Sequence, residues 1–268
     1  MYPCGTENVR VAVSGSSLAS IRGDALAISV FDLFKSGIGP SSSHTVGPMI
    51  AAGSFAESVS ARSAVHRIKA ELFGSLGATG KGHGSDTAIL LGLEGEHPKH
   101  VDVDNIPSRL SHIRSSNTLT LPGGQAITFD ESTDLVMHKR KSLPFHPNAM
   151  TFSAYNAANE LIEQRTYYSV GGGFVIDEDA SSDDAPIKED STELPYAFTT
   201  GDRLLELCKA HNMSFCDIMM ANESVWRSKE AIHKELLELW DVMQACVKPW
   251  LRRDGYFARG YESQTPGK

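Results

Sequence analysis

The stretch IGPSSSHTVGP, residues 38–48, places three serines, a histidine and a threonine between two Gly-Pro pairs. Pro40 fixes its φ at about −65° and can begin a helix, and residues 46–62, rich in Ala, Met and Phe, are predicted to form that helix. Hydroxyls, free backbone N–H groups and the positive helix end would together bind a carboxylate or a phosphate. A capped helix start with a surface histidine is the alternative, although three serines exceed what a cap needs.

His44 lies in the first turn of this predicted helix. The positive end of a helix disfavours an imidazolium, so we expect a neutral, basic ring, which a general base requires. The adjacent hydroxyls are then candidate substrate-binding groups, and they belong to Ser41, Ser42, Ser43 and Thr45.

Composition and charge narrow the class of protein. A net charge of −8 over 268 residues disfavours a nucleic-acid or anionic-membrane partner, and no apolar run is long enough to cross a bilayer. Residues 1–27 lack an apolar signal core and are expected to be a loose extension.

The histidines lack metal-ligand spacing, so no metal site is expected within the chain. No CxxC pair occurs, which favours reduced thiols in a cytoplasm, among Cys4, Cys208, Cys216 and Cys246.

Hydrophobic periodicity predicts an α+β domain over residues 28–180, with a mixed sheet and helices. The glycine-rich stretch 74–84 is expected to be a loop, followed by a short buried helix at 86–93. Residues 171–173 are expected to interrupt a strand that resumes at 174–177. The other predicted strands are 65–74, then 118–129 and 134–140 around a Pro-Gly-Gly turn, and 150–155 and 161–170, which form a hairpin.

The sequence pattern changes from strands to an acidic loop and then to helices after residue 180. An acidic loop is predicted at 181–199, and a helical segment at 200–248. Within this segment we expect helices at 203–211, 214–224 and 228–247, the last two capped by Ser214 and Ser228 and the last one ended by Pro249. A tail without periodicity occupies residues 249–268.

Two glycine clusters are further candidates for a site. Residues 74–86 fail the spacing of a phosphate-binding P-loop, yet Lys81, His83 and Asp86 could face a shared cleft; a tight loop with a solvated lysine is the alternative. Ser169 precedes Gly171, Gly172 and Gly173, whose open backbone could contact a substrate. A β-bulge or a strand break is the alternative for this second cluster.

Four motifs together resemble one family, the β region of the bacterial iron–sulfur L-serine dehydratases, or L-serine ammonia-lyases. The similarity extends from about residue 28 to residue 247. The motifs are ISVFDLFKSGIGPSSSHTVGPM (28–49), GSLGATGKGHGSDTAILLGL (74–93), RTYYSVGGGFVIDE (165–178) and MQACV (243–247). The resemblance implies a fold similar to the allosteric substrate-binding domain of some phosphoglycerate dehydrogenases.

The resemblance also implies an activity, the deamination of L-serine to pyruvate and ammonia in amino-acid metabolism and gluconeogenesis. His44 would be the catalytic base, and Ser169 and the glycines at 171 and 172 would line the opposite wall. Family members carry a [4Fe–4S] cluster on the cysteines of an α region, and a homo-oligomer is expected when both regions are present.

The sequence after Val247 departs from the family pattern. We therefore expect a truncated or frame-shifted product, inactive without an α region as its partner. Two alternatives stay open: a non-catalytic module that binds serine or another anion for regulation, and a phosphate-binding enzyme that uses residues 74–86.

Overall fold

The computed structural model describes residues 29–61, 65–178 and 192–250, with side chains described as far as Val247. Three predicted segments lie largely or wholly outside these residues: the extension at 1–27, most of the acidic loop at 181–199, and all but the first two residues of the tail at 249–268. Within the described ranges, no helix has the length and the apolar character needed to span a membrane.

The described chain contains a mixed sheet in the order β2-β3-β1-β5-β6-β7, with β4 paired to β1 beside this path. The predicted α+β class is therefore confirmed. The strands are β1 (Arg67–Phe73), β2 (Thr118–Thr120), β3 (Ala126–Thr128), β4 (Leu135–Met137), β5 (Asn148–Tyr155), β6 (Leu161–Gly171) and β7 (Phe174–Asp177).

Helices cover the sheet and form the C-terminal segment. Each of the five helices predicted from the sequence is present, whereas the helices at 30–33, 74–83, 106–116 and 131–134 were not predicted. The helices are α1 (Val30–Leu33), α2 (Val46–Ser60), α3 (Gly74–His83), α4 (Ser85–Leu93), α5 (Ile106–Ser116), α6 (Glu131–Asp134), α7 (Gly201–His211), α8 (Phe215–Glu223) and α9 (Lys229–Trp250).

The central strand β1 shows the alternation on which its prediction rested. Ile68, Ala70 and Leu72 are fully buried, and the residues between them are half-buried. β1 pairs in parallel with β3 and β4, and antiparallel with β5. The predicted hairpin of β5 and β6 is also present.

The helix α3 contradicts the predicted loop at 74–84. Gly74, Gly77 and Gly80 recur every three residues, so they lie on one face of the helix. A Cβ at Gly77 would overlap the carbonyl oxygen of His138 and would lie 2.7 Å from that of Leu72. The glycines therefore permit a close approach of the helix to the sheet. Gly84, with φ of +83°, ends α3 and precedes α4.

Two other predicted boundaries were wrong. β7 does not continue β6 but reverses to pair with it antiparallel, because the three glycines at 171–173 all adopt positive φ and form a tight turn. The helix α9 extends to Trp250, one residue beyond Pro249. A proline in the last turn forfeits one hydrogen bond without forcing the helix to stop there.

The main core lies between the sheet and the helices α2, α4 and α5. Phe55 of α2 stacks on Phe152 of β5 with ring centroids 5.5 Å apart, and both side chains are fully buried. The helical segment is anchored to α1 by the buried carboxylate of Glu223, which accepts hydrogen bonds from Ser29 Oγ at 2.6 Å and from Val30 N at 3.1 Å.

We expect Gly92→Ala to reduce the free energy of unfolding by about 1–3 kcal/mol, because overpacking a core costs this much. A Cβ at Gly92, on α4, would overlap the carbonyl oxygen of Met49 and lie 2.9 Å from the Cβ of Ala52, both on α2. The control is Gly82→Ala in α3, where a Cβ meets nothing within 4 Å. This control should stabilise by about 0.5–1 kcal/mol through helix propensity. Urea unfolding measures both, and equal effects would contradict the close crossing of α2 and α4.

Candidate functional site

The serine cluster forms a turn that leads into α2 and is not its first turn. The helix begins at Val46, and the N–H groups of His44 and Thr45 already donate to the carbonyl oxygen of Ser41, at 3.1 and 3.0 Å. These two N–H groups are therefore not free for an anion, contrary to the sequence-based expectation. The hydroxyls of the serines at 41–43 are half-buried and are further candidate donors.

His44 lies at the centre of the candidate site, with 8% of its surface exposed. Its Nδ1 contacts Ser41 Oγ at 3.3 Å and Ser43 Oγ at 3.1 Å. Its Nε2 contacts Ser75 Oγ at 3.2 Å and Thr79 Oγ1 at 3.1 Å. Both ring nitrogens are therefore held by hydroxyl groups, one pair from the turn before α2 and the other from α3.

The surroundings of His44 favour a neutral ring. Burial and then the charge of His83 lower the pKa of His44 below its ordinary value of 6.5, while the backbone carbonyl of Ser75 acts in the opposite direction. The His83 ring lies against that of His44, with centroids 4.7 Å apart. The lowered pKa agrees in direction with the neutral ring expected from the sequence, but its main physical cause is burial and not the helix end.

The turn that carries His44 is fixed through its backbone. Pro48 has no N–H, so it cannot donate the helical hydrogen bond to the carbonyl oxygen of His44. The hydroxyl of Ser85, the first residue of α4, donates to this oxygen at 2.6 Å, and Ser85 is fully buried. A hydroxyl from another helix thus satisfies the carbonyl and connects α4 to the turn.

Ser169 lies close to this region but is not exposed to it. Its side chain is fully buried against α2, where a Cβ at Gly47 would overlap Ser169 Oγ. Within the described chain, that hydroxyl has no hydrogen-bond partner. Asn148 donates from Nδ2 to the Ser169 carbonyl at 3.2 Å, and its own Oδ1 is also buried without a partner among the described residues. Because Asn148 forms a β-bridge with Gly74, these polar atoms border the start of α3.

Thr45 and the glycines at 171–173, which were also predicted for the site, contribute to the backbone around it. Thr45 is fully buried and donates its hydroxyl proton to the Ser41 carbonyl at 2.8 Å, so it stabilises the turn. Gly173 approaches α2, since a Cβ there would lie 2.7 Å from Val46 Cγ1, whereas a Cβ at Gly171 meets nothing within 4 Å. Gly172 belongs to the same turn, with φ of +59°.

The predicted cleft of Lys81, His83 and Asp86 is divided between two places. Lys81 and Asp86 line a cavity of about 580 Å³ together with Arg114, which lies 3.6 Å from the Asp86 carboxylate. His83 instead packs against His44, with the two ring planes inclined by 38°. Ser75, Thr79 and Asn148 were not predicted as site residues. The four-residue spacing of Ser75 and Thr79 places both on one face of α3, but only once this segment is known to be helical.

The described residues offer no metal centre. Among them, no group of three His, Cys, Asp or Glu side chains could hold a metal ion. Cys208, Cys216 and Cys246 lie on three different helices, α7, α8 and α9, and the last two are exposed. Cys4 lies outside the described residues.

Comparison with known proteins finds a match to the family described as serine dehydratase beta chain, over residues 29–180. An L-serine dehydratase from Streptomyces coelicolor is 49% identical over 238 residues, which are 88% of this chain and 52% of that protein. L-serine dehydratase 1 from Escherichia coli is 38% identical, over 85% of this chain and 50% of its own length. An L-serine dehydratase from Mycobacterium tuberculosis is 39% identical, over 91% and 52%. The chain spans about half the length of these curated relatives.

We expect Ser169→Ala to raise the free energy of unfolding by about 1 kcal/mol, because it removes a buried hydroxyl without a hydrogen-bond partner. The matched control is Ser85→Ala, also at a fully buried serine. It should destabilise by about 1–3 kcal/mol, because it leaves the His44 carbonyl oxygen without its donor. Chemical unfolding of both variants measures the contrast. A destabilising Ser169→Ala would show that this hydroxyl has a partner in the folded protein.

Proposed function

Because the chain belongs to the serine dehydratase beta chain family, we propose that it supplies the base-bearing half of an L-serine dehydratase. The substrate would be L-serine, and the products pyruvate and ammonia. The observation that carries this proposal is His44, a buried imidazole with a lowered pKa whose Nδ1 contacts the half-buried hydroxyls of Ser41 and Ser43.

The chemistry requires a neutral base. Removal of the Cα proton of serine transfers that proton to a nitrogen of His44, and the electron pair left on Cα forms the Cα–Cβ double bond as hydroxide leaves. The lowered pKa keeps His44 able to accept a proton near neutral pH. The resulting 2-aminoacrylate tautomerises to an imine, which water hydrolyses to pyruvate and ammonia.

The serines at 41–43 would bind the substrate carboxylate through their hydroxyls. They are half-buried, so solvent and a small substrate can reach them, whereas the fully buried Thr45 is out of reach. Contacts of Ser41 and Ser43 with His44 Nδ1 would place the carboxylate next to the base. Ser169 is buried and would not contact the substrate. Its side chain packs closely against Gly47 and would thereby position α2.

The family resemblance implies a [4Fe–4S] cluster, but the described residues of this chain do not fit one. No group of three ligands converges among them, and their cysteines lie on three separate helices. We propose that the cluster ligands belong to the α region, the half of the relatives that this chain does not cover. The role assigned to this chain is therefore proton removal and substrate binding.

We predict that His44→Asn lowers turnover by about 10²–10⁴-fold, the usual cost of losing a general base, because an amide cannot accept the Cα proton. The assay combines the chain with the half of the Streptomyces coelicolor relative that it does not cover, and measures pyruvate formation from L-serine. The control is His112→Asn, at an exposed position on α5, which should keep turnover. Near-normal turnover of His44→Asn would place the base elsewhere.

In the same assay, we expect Ser42→Ala to raise KM for L-serine with a smaller change in kcat, as for a group that holds the carboxylate in both ground and transition states. Ser54→Ala, at an exposed serine on α2, is the control and should leave both constants unchanged. An unchanged KM in Ser42→Ala would remove Ser42 from the substrate-binding residues.

A further inference from the structure

The two nitrogens of His44 have partners of different hydrogen-bonding character. On the Nε2 side, Thr79 Oγ1 donates its proton to the Ser75 carbonyl oxygen at 2.9 Å. A hydroxyl has a single proton, so Thr79 Oγ1 can only accept in its 3.1 Å contact with His44 Nε2. In this arrangement the proton of the hydrogen bond belongs to Nε2, whereas a Thr79 hydroxyl turned to donate to Nε2 would require the ring proton on Nδ1.

A second group on the same side supports this assignment. The backbone carbonyl of Ser75 also interacts with the ring and acts to raise the pKa of His44. A carbonyl oxygen can accept a hydrogen bond but cannot donate one, so it stabilises a ring N–H directed at α3. Ser75 Oγ, 3.2 Å from Nε2, belongs to the same residue. The two hydroxyls of α3 that contact the ring thus both lie at Nε2.

The Nδ1 side has the opposite character. Ser41 Oγ and Ser43 Oγ lie 3.2 Å from each other, and both lie within hydrogen-bond distance of Nδ1. One hydroxyl can donate to the other while the second donates to Nδ1. A neutral ring with its proton on Nε2 has its lone pair on Nδ1, which accepts one of the two hydroxyl protons, while the other proton joins the two serines.

We propose that Ser75 and Thr79 hold His44 in the Nε2–H tautomer, so that Nδ1, on the side of Ser41 and Ser43, is the atom that accepts the substrate proton. Thr79 is then a positioning residue that acts through His44. The identity of Nδ1 as the reacting atom rests on the proposed function, whereas the tautomer does not. A substrate must therefore approach His44 from the serine turn and displace a hydroxyl from Nδ1.

The test is a long-range ¹H–¹⁵N correlation spectrum of the full chain, labelled with ¹⁵N, at a pH at which the His44 ring is neutral. The spectrum separates a protonated ring nitrogen from one with a free lone pair, and the signals that vanish in His44→Asn identify His44. We expect Nε2 to be protonated and Nδ1 to be free. A ring protonated on Nδ1, or an even mixture of both forms, would overturn the proposal.

Variants at Thr79 test its part in this arrangement. Thr79→Val removes the acceptor and should lower the fraction of the Nε2–H form, whereas Thr79→Ser restores the hydroxyl and should keep it. Thr79 is exposed, so both variants should fold. The matched control is Thr120→Val, at an exposed threonine of the edge strand β2, which should leave the ring unchanged. An unchanged tautomer in Thr79→Val would overturn the role of Thr79.

The NMR spectrum tests the tautomer and the activity assay tests the proposed function, so each proposal can be rejected without the other. A ring protonated on Nδ1 combined with an inactive His44→Asn enzyme would overturn this inference and leave the proposed function standing. A ring protonated on Nε2 combined with an active His44→Asn enzyme would support the tautomer and reject His44 as the base.

Discussion

The hydrogen bond from Ser85 to the carbonyl oxygen of His44 is the interaction on which the site depends. Pro48 cannot provide the helical donor for this carbonyl, and the buried hydroxyl of Ser85 takes its place at 2.6 Å. Gly80 leaves room for this hydroxyl, since a Cβ there would lie 3.0 Å from Ser85 Oγ. The start of α4 therefore fixes the turn that carries His44.

This connection explains how a histidine can be both buried and chemically available. The turn presents the His44 ring to α3, where hydroxyl groups contact Nε2, while the half-buried serines contact Nδ1. The partners of the ring nitrogens are neutral hydroxyls and the backbone carbonyl of Ser75, so none of them stabilises an imidazolium as strongly as a carboxylate would. Burial and the neighbouring His83 then favour the neutral base. Packing around Pro48 and the glycines of α3 thus favours the neutral form of the His44 ring.

The sequence predicted those elements whose side chains show a clear period. β1 alternates, α2 and α4 are dense in apolar residues, and the β5–β6 hairpin has its turn residues in place. The helix α3 was missed because glycine disfavours helices on average, and only contact with the sheet reveals why three glycines share one face. His44 was found from its motif, but Ser75 and Thr79 depend on that missed helix. The buried position of Ser169 depends on long-range packing that no local pattern encodes.

The central claim is that the fold keeps His44 neutral and basic, and the most direct measurement is a titration of its ring by NMR in the full chain. The Hε1 and Cε1 shifts, assigned by their loss in His44→Asn, report protonation of this one residue as the pH changes. Because burial disfavours the charged ring, the account predicts a pKa below the ordinary 6.5. A pKa at or above 6.5 would contradict it, because the surroundings would then not favour the neutral ring over the imidazolium.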